Sequence, residues 1–143
     1  MSSELSEALA ATLAEMRETV DALVATLGEE HQALEHADTP ALDRAGATKL
    51  IQMRKLDRLD AERVQLSNAA PQAADRLKPA WTQVLQSLEK CRLHNQRNGG
   101  LVNQRLAQVR RALSALTGER DEPVYDPAGL LHSPQRSQPL AQA

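Results

Sequence analysis

From the amino terminus to Leu34 the large apolar residues recur three or four positions apart: Leu5, Leu9, Leu13, Met16, Val20, Leu23, Leu27 and Leu34. At ~100° of rotation per residue, that spacing draws one stripe along a long amphipathic helix, expected from about Ser3 to His36. Phe is absent, and Trp81 and Tyr125 are the only aromatics. The core must therefore be built from Leu, Val, Ala and Met, which suits helices lying side by side better than a sheet. Gly28 weakens the first helix by about 1 kcal/mol relative to alanine, a cost that burial of the stripe offsets.

Asp38-Thr39-Pro40 reads as a turn, with Thr39 capping a second helix and Pro40 at its first position, where the missing N–H costs nothing. The second stripe runs through Leu42, Lys49 or Leu50, Met53, Leu56, Leu59, Arg63 and Leu66, with basic stems covering apolar surface at its edges, and ends near Ser67-Asn68. A third helix begins between Pro71 and Pro79. From Trp81 it follows a near-heptad repeat through Val84, Leu85, Leu88, Cys91 or Arg92, Asn95, Asn98, Val102, Leu106, Val109, Leu113 and Leu116, and Gly118 stops it.

The expected fold is all-α, an elongated antiparallel bundle of three long helices with coiled-coil character. A fourth helix follows only if Asn98-Gly99-Gly100 breaks the third. Residues 1–118 would form the bundle domain. Residues 119–143, rich in Pro, Gln and Ser, would form a flexible tail that carries one apolar island from Pro123 to Leu131.

At ~1.5 Å per residue the first two helices reach roughly 40 to 50 Å and the third nearly 60 Å, so part of the third is expected to overhang. An overhang bearing Leu101, Val102, Leu106, Val109, Leu113 and Leu116 needs cover, since each fully buriable side chain is worth roughly 1.5 to 3 kcal/mol. Periodicity leaves three occupants open: the chain's own last segment folded back, a second copy in a homodimer, or a client helix laid into the groove.

Net charge is only −2, yet charge is segregated. The first 38 residues carry nine carboxylates against Arg17 alone, whereas Lys90 to Gly118 carries Lys90, Arg92, Arg97, Arg105, Arg110 and Arg111 and no carboxylate. Such faces either aid helix pairing as solvated surfaces or present a basic surface to an acidic partner.

Catalysis and metal chemistry find no support in the spacing. His31 and His36 are five apart on a helix, His94 and His132 stand alone, and no Glu-x-x-His pair provides a dimetal centre. Gly99 and Gly100 lack the lysine of a phosphate cradle, and no nucleophile elbow or paired-cysteine motif occurs. His31 is followed by Gln32, Ala33, Leu34 and Glu35, not by the lysine and small residues of a phosphotransfer histidine. No enzyme activity, metal or cofactor is expected. Nucleic-acid binding is disfavoured because the chain is slightly acidic and its basic strip has no stacking aromatics. No apolar run approaches the ~18 residues that cross a bilayer, so direct membrane insertion is not expected. The lone Cys91 and the absence of a signal-like N-terminal run make a reducing cytoplasm the default location.

Asn95, Asn98, Gly99 and Leu101 form an Asn-x-x-Asn-Gly-x-Leu pattern, and Tyr125 with Gly129 forms Tyr-x-x-x-Gly in the tail. In that order, on an all-helical chain, these motifs resemble the FlgN family of flagellar type III export chaperones. The resemblance implies a client-binding surface made of Asn95, Asn98, Gly99, Leu101, Val102, Leu106, Val109, Leu113 and Leu116, whose clients are hook-filament junction proteins. It also implies that Tyr125 helps the loaded complex dock on the export-gate protein. The alternative from the residues alone is a self-associating coiled-coil adaptor with no export role.

Overall fold

The computed structural model describes Ser2–Thr117 and, beyond them, the pairs Val124–Tyr125 and Leu131–His132. Four helices follow in order: α1 (Ser2–Glu35), α2 (Thr39–Ala69), α3 (Pro71–Arg76) and α4 (Lys78–Thr117). Two-residue strands, β1 (Val124–Tyr125) and β2 (Leu131–His132), pair antiparallel with Val124 opposite His132 and Tyr125 opposite Leu131. The fold is all-α, as the apolar spacing predicts. Two compact units divide the chain, Met1–His94 and Asn95–Ala143.

The first unit is built on the α1–α2 hairpin. α1 ends in a tight backbone motif: the Asp38 N–H donates to the Ala33 carbonyl at 2.9 Å and the Ala37 N–H to the Leu34 carbonyl at 3.4 Å. This pair of hydrogen bonds requires a left-handed residue at position 37, and Ala37 supplies it at φ 52°, where glycine is the usual choice. Asp38 then caps α2, accepting from the Ala41 N–H through Oδ1 at 3.2 Å. The expected cap, Thr39, is instead the first residue of the helix, because the Asp38 carboxylate is already in place one residue earlier.

Two prolines mark the boundaries of the remaining helices. Ala70, extended at φ −136° ahead of Pro71, closes α2 and opens α3. Pro79 lies in the first turn of α4, where its missing N–H breaks no helical bond, and the single residue Leu77, at φ −93° and ψ 10°, separates α3 from α4. The third long helix therefore begins at Lys78 and runs unbroken through Asn98, Gly99 and Gly100 to Thr117. No break after Gly100 creates a further helix.

Leu9, Leu13, Met16, Val20, Leu23 and Leu27 of α1 form the spine of the core, joined by Leu59 of α2, Ala73 of α3, and Val84 and Cys91 of α4. The spine continues in heptad register to Glu30 and Leu34, both buried. One step around the helix, Thr12, Thr19 and Thr26 are also buried, seven residues apart. Each hydroxyl donates to the carbonyl four residues earlier, at 2.9, 2.8 and 3.1 Å, so polar groups enter the core already satisfied.

The seam of α2 repeats three and four apart through Leu42, Ala45, Lys49, Gln52, Leu56, Leu59, Arg63 and Leu66. Lys49 holds the position contested with Leu50, which is exposed, as is Met53. Against α1 the third segment runs parallel. Arg76 Nη2 meets Ser6 Oγ at 3.5 Å, Arg17 Nη1 meets Gln83 Oε1 at 3.2 Å, and Cys91 Sγ lies 3.8 Å from the Val20 carbonyl. Both segments advance together along these contacts, giving an up-down-up order within the unit.

Candidate functional site

Every residue expected to bind a client lies on α4. Asn98 is 2% exposed and Gly99 is buried, Asn95, Leu101, Val102 and Leu106 are half-buried, and Gly100 is exposed. Farther along, Val109, Leu113 and Leu116 are 54%, 51% and 83% exposed. The unbroken helix brings these side chains to a common side, because 109, 113 and 116 are four and three residues apart. An exposed apolar stripe at such spacing is what a docked helix would cover.

The buried Asn98 belongs to a heptad position that begins deeper in the fold. Val84, Cys91 and Asn98 are seven apart and all buried, and the next member is the half-buried Arg105. Along this line the seam passes from apolar to amide to guanidinium. Polar residues at seam positions select register and partner at some cost in stability. Within the first unit, burial pushes the Cys91 thiol up to about 11, helped by the Asp21 carboxylate, so the thiol stays neutral.

The glycine pair plays a different part from a break. A Cβ at Gly100 would meet nothing within 4 Å, so no neighbour within the chain requires glycine there. Tyr125 lies in β1, its backbone opposite Leu131. The surrounding residues 118–123 and 126–130 lie outside the described part, and so does Gly129 of the Tyr-x-x-x-Gly pattern.

A second surface was not singled out by the motifs. In the first unit a cleft of about 380 Å³ opens between α2 and α4, with Met16 and Leu23 of α1 as its floor and Met53, Leu56, Trp81 and Leu88 among its walls. The Arg63 guanidinium stacks over the Trp81 ring at 3.8 Å and is held by Asp60 Oδ1 at 2.8 Å, closing one end. Leu50, Met53 and Leu85 stand exposed on the helices that flank the cleft. The available signal was the excess of apolar residues in α2, Leu50-Ile51 and Met53, over what one seam can bury.

Among the described residues, no group of three or more His, Cys, Asp or Glu side chains is arranged to hold a metal ion. No helix among them is long and apolar enough to cross a membrane. What α4 and the cleft offer is apolar contact area, edged by arginines on α4 and by Asp57, Asp60 and Arg63 at the cleft.

The family described as FlgN protein matches residues 1–133, nearly the whole chain. This chain belongs to the FlgN family. No curated protein and no solved structure matches it. As a FlgN-family member it has the general role of that family, a non-enzymatic chaperone of flagellar protein export that binds flagellar proteins. The match includes both Asn95-x-x-Asn98-Gly99-x-Leu101 and Tyr125-x-x-x-Gly129.

Proposed function

We propose that this FlgN-family protein is a cytoplasmic holdase for hook-filament junction proteins and delivers them to the type III export gate. The observation that carries the reading is the stripe Val109, Leu113 and Leu116, left exposed on a helix inside the family match. A client helix laid along Leu101, Val102, Leu106, Val109, Leu113 and Leu116 would cover apolar surface on both partners and keep the client from assembling early. Asn95 and Asn98, with Gly99 beside them, lie at the start of that face and set where the client helix begins. The exchange needs no bond making: apolar burial holds the client, and competition at the gate releases it.

Residues 119–143 serve as a separate docking segment in this reading, with Tyr125 as the anchor that meets the export-gate protein. A tyrosine suits that task because its ring contributes large contact area for little lost rotamer freedom.

The test is capture of hook-filament junction proteins from cell extract by immobilised full-length protein, identified by mass spectrometry. Leu106→Asp with Val109→Asp is expected to abolish capture while circular dichroism stays helical. Undiminished capture by that folded variant would exclude the stripe as the client surface. Tyr125→Ala is expected to leave capture intact and to impair secretion of the client; loss of capture would instead place Tyr125 in the client surface.

A further inference from the structure

Beyond the Arg63–Trp81 stack from the cleft over Met16 and Leu23 lies a second hollow of the first unit, about 370 Å³, floored by Leu9 and Leu13 of α1 and walled by Ser67, Pro71, Ala74 and Leu77. Arg63 and Trp81 line both hollows, so the two make one groove divided by a single stack. At ~1.5 Å per residue its floor from Leu9 to Leu23 extends ~21 Å, about four turns of helix. Leu50, Met53 and Leu85 stand 50%, 45% and 46% exposed on the flanking helices, and apolar surface gathered in this way marks an interaction site. Asp75 and Lys78 border the hollow over Leu9 and offset each other. In the other hollow Asp60 is held by Arg63, which leaves the exposed Asp57 with no ion pair or side-chain hydrogen bond to any of the described residues.

We propose that this groove is a second docking surface, taking an amphipathic helix of a different protein whose apolar anchors are edged by lysine or arginine. The walls are helices whose backbone groups are already bonded to one another. An extended segment would therefore gain no ladder here and would leave its own N–H and C=O groups without partners. A helix arrives with those bonds made and offers its side chains alone. Its anchors cover Met16, Leu23, Met53 and Leu88, and its cation meets the Asp57 carboxylate that the same helix takes out of water. A second copy seated groove to groove is the poorer occupant. A two-fold contact sets a patch against itself, so Asp57 would face an equally acidic patch.

Two synthetic peptides of roughly 20 residues, free of tryptophan and sharing one leucine stripe, make the probe; one is edged with lysine and the other with glutamate. Trp81 is the only tryptophan of the chain and lines the groove, so its emission reports occupancy there. Titrated into the full-length protein, the lysine-edged peptide is expected to move that emission to shorter wavelength. It is expected to bind roughly fivefold more tightly than the glutamate-edged peptide, with the preference shrinking as salt rises. In Asp57→Asn the preference is expected to vanish, in Asp57→Lys to reverse, and in Leu85→Asp binding of both peptides to be lost, with helical circular dichroism in each. Leu106→Asp with Val109→Asp is expected to leave the emission change and the preference as they are. Equal binding of the two peptides, binding of neither, binding without a change in Trp81 emission, or a dimer of the protein alone that Leu85→Asp disperses would each overturn the proposal. Binding lost in Leu106→Asp/Val109→Asp would overturn it too, and would assign the peptide to the α4 stripe instead.

Discussion

Glu30 and Lys49 meet across the α1–α2 hairpin with Oε2 and Nζ 3.5 Å apart, the side chains only 8% and 12% exposed. Each occupies a seam position, Glu30 between Leu27 and Leu34 in α1 and Lys49 between Ala45 and Gln52 in α2. A one-heptad slip of α2 would set Glu30 against Leu42 or Leu56 instead, leaving a buried carboxylate without its cation. The pair thus marks the register of the hairpin. Removing one partner, as Glu30→Ala or Lys49→Ala, is expected to cost about 3 kcal/mol in urea denaturation. Glu30→Leu with Lys49→Met is expected to recover most of that loss, since a packed apolar pair replaces the ions without orphaning either.

Ala37 holds a left-handed conformation that glycine adopts without penalty. Ala37→Gly is therefore expected to stabilise the protein by about 1 kcal/mol, seen as a higher thermal midpoint. A lower midpoint would mean that the paired hydrogen bonds at the end of α1 do not depend on the strained residue.

Arg63 stacks on Trp81 while Asp60 holds its Nε. Arg63→Ala is expected to cost about 1 kcal/mol from the lost cation–π contact and to shift the emission of the only tryptophan to longer wavelength. Arg63→Lys keeps the charge but not the planar face, so its effect should fall between the two. Unchanged emission in Arg63→Ala would contradict the stacking.

Cys91 is neutral in the fold up to about 11, against an ordinary value of 9.0. Between those values the unfolded chain gives up a proton that the folded chain keeps, so the folded state binds more protons and stability falls as pH rises. The contribution is intact below about pH 9 and is lost through about pH 11. Cys91→Ala is expected to flatten that part of the stability profile. Thiol labelling at pH 8 should proceed only as fast as the protein opens; rapid labelling of the native protein would count against a buried thiol.

Helix by helix, much of the fold was legible because its causes are local. The three-and-four spacing of α1, the prolines at 71 and 79 and the Asp38-Thr39-Pro40 turn act within one or two turns, although the cap there is Asp38 and not the expected Thr39. The end of α1, expected near His36 and found at Glu35, was legible too, although the motif there usually uses glycine and this chain uses Ala37. At Asn98-Gly99-Gly100 the turn signal was local too, but forty residues of continuous helix outweighed it. For the candidate site, the motif residues and stripe could be named from the chain, whereas the cleft walled by Met53, Leu56, Trp81 and Leu88 could not. It depends on how far apart two helices lie.

By itself the sequence determined which segments are helical, where most of them begin, and that α4 must carry more apolar surface than a polar solvent tolerates. Only the tertiary structure decided which face of each helix is inside. In α2, Leu50, Ile51 and Met53 pull the apolar direction one way, yet Ala45 and Leu59 are the buried positions and Lys49 takes the seam. The same decision buried Thr12, Thr19, Thr26, Glu30 and Asn98, which hydropathy assigns to water. Helix formation is governed by bonds four residues apart, whereas burial is set by whatever another segment brings against that surface, and for α1 that means partners tens of residues away along the chain.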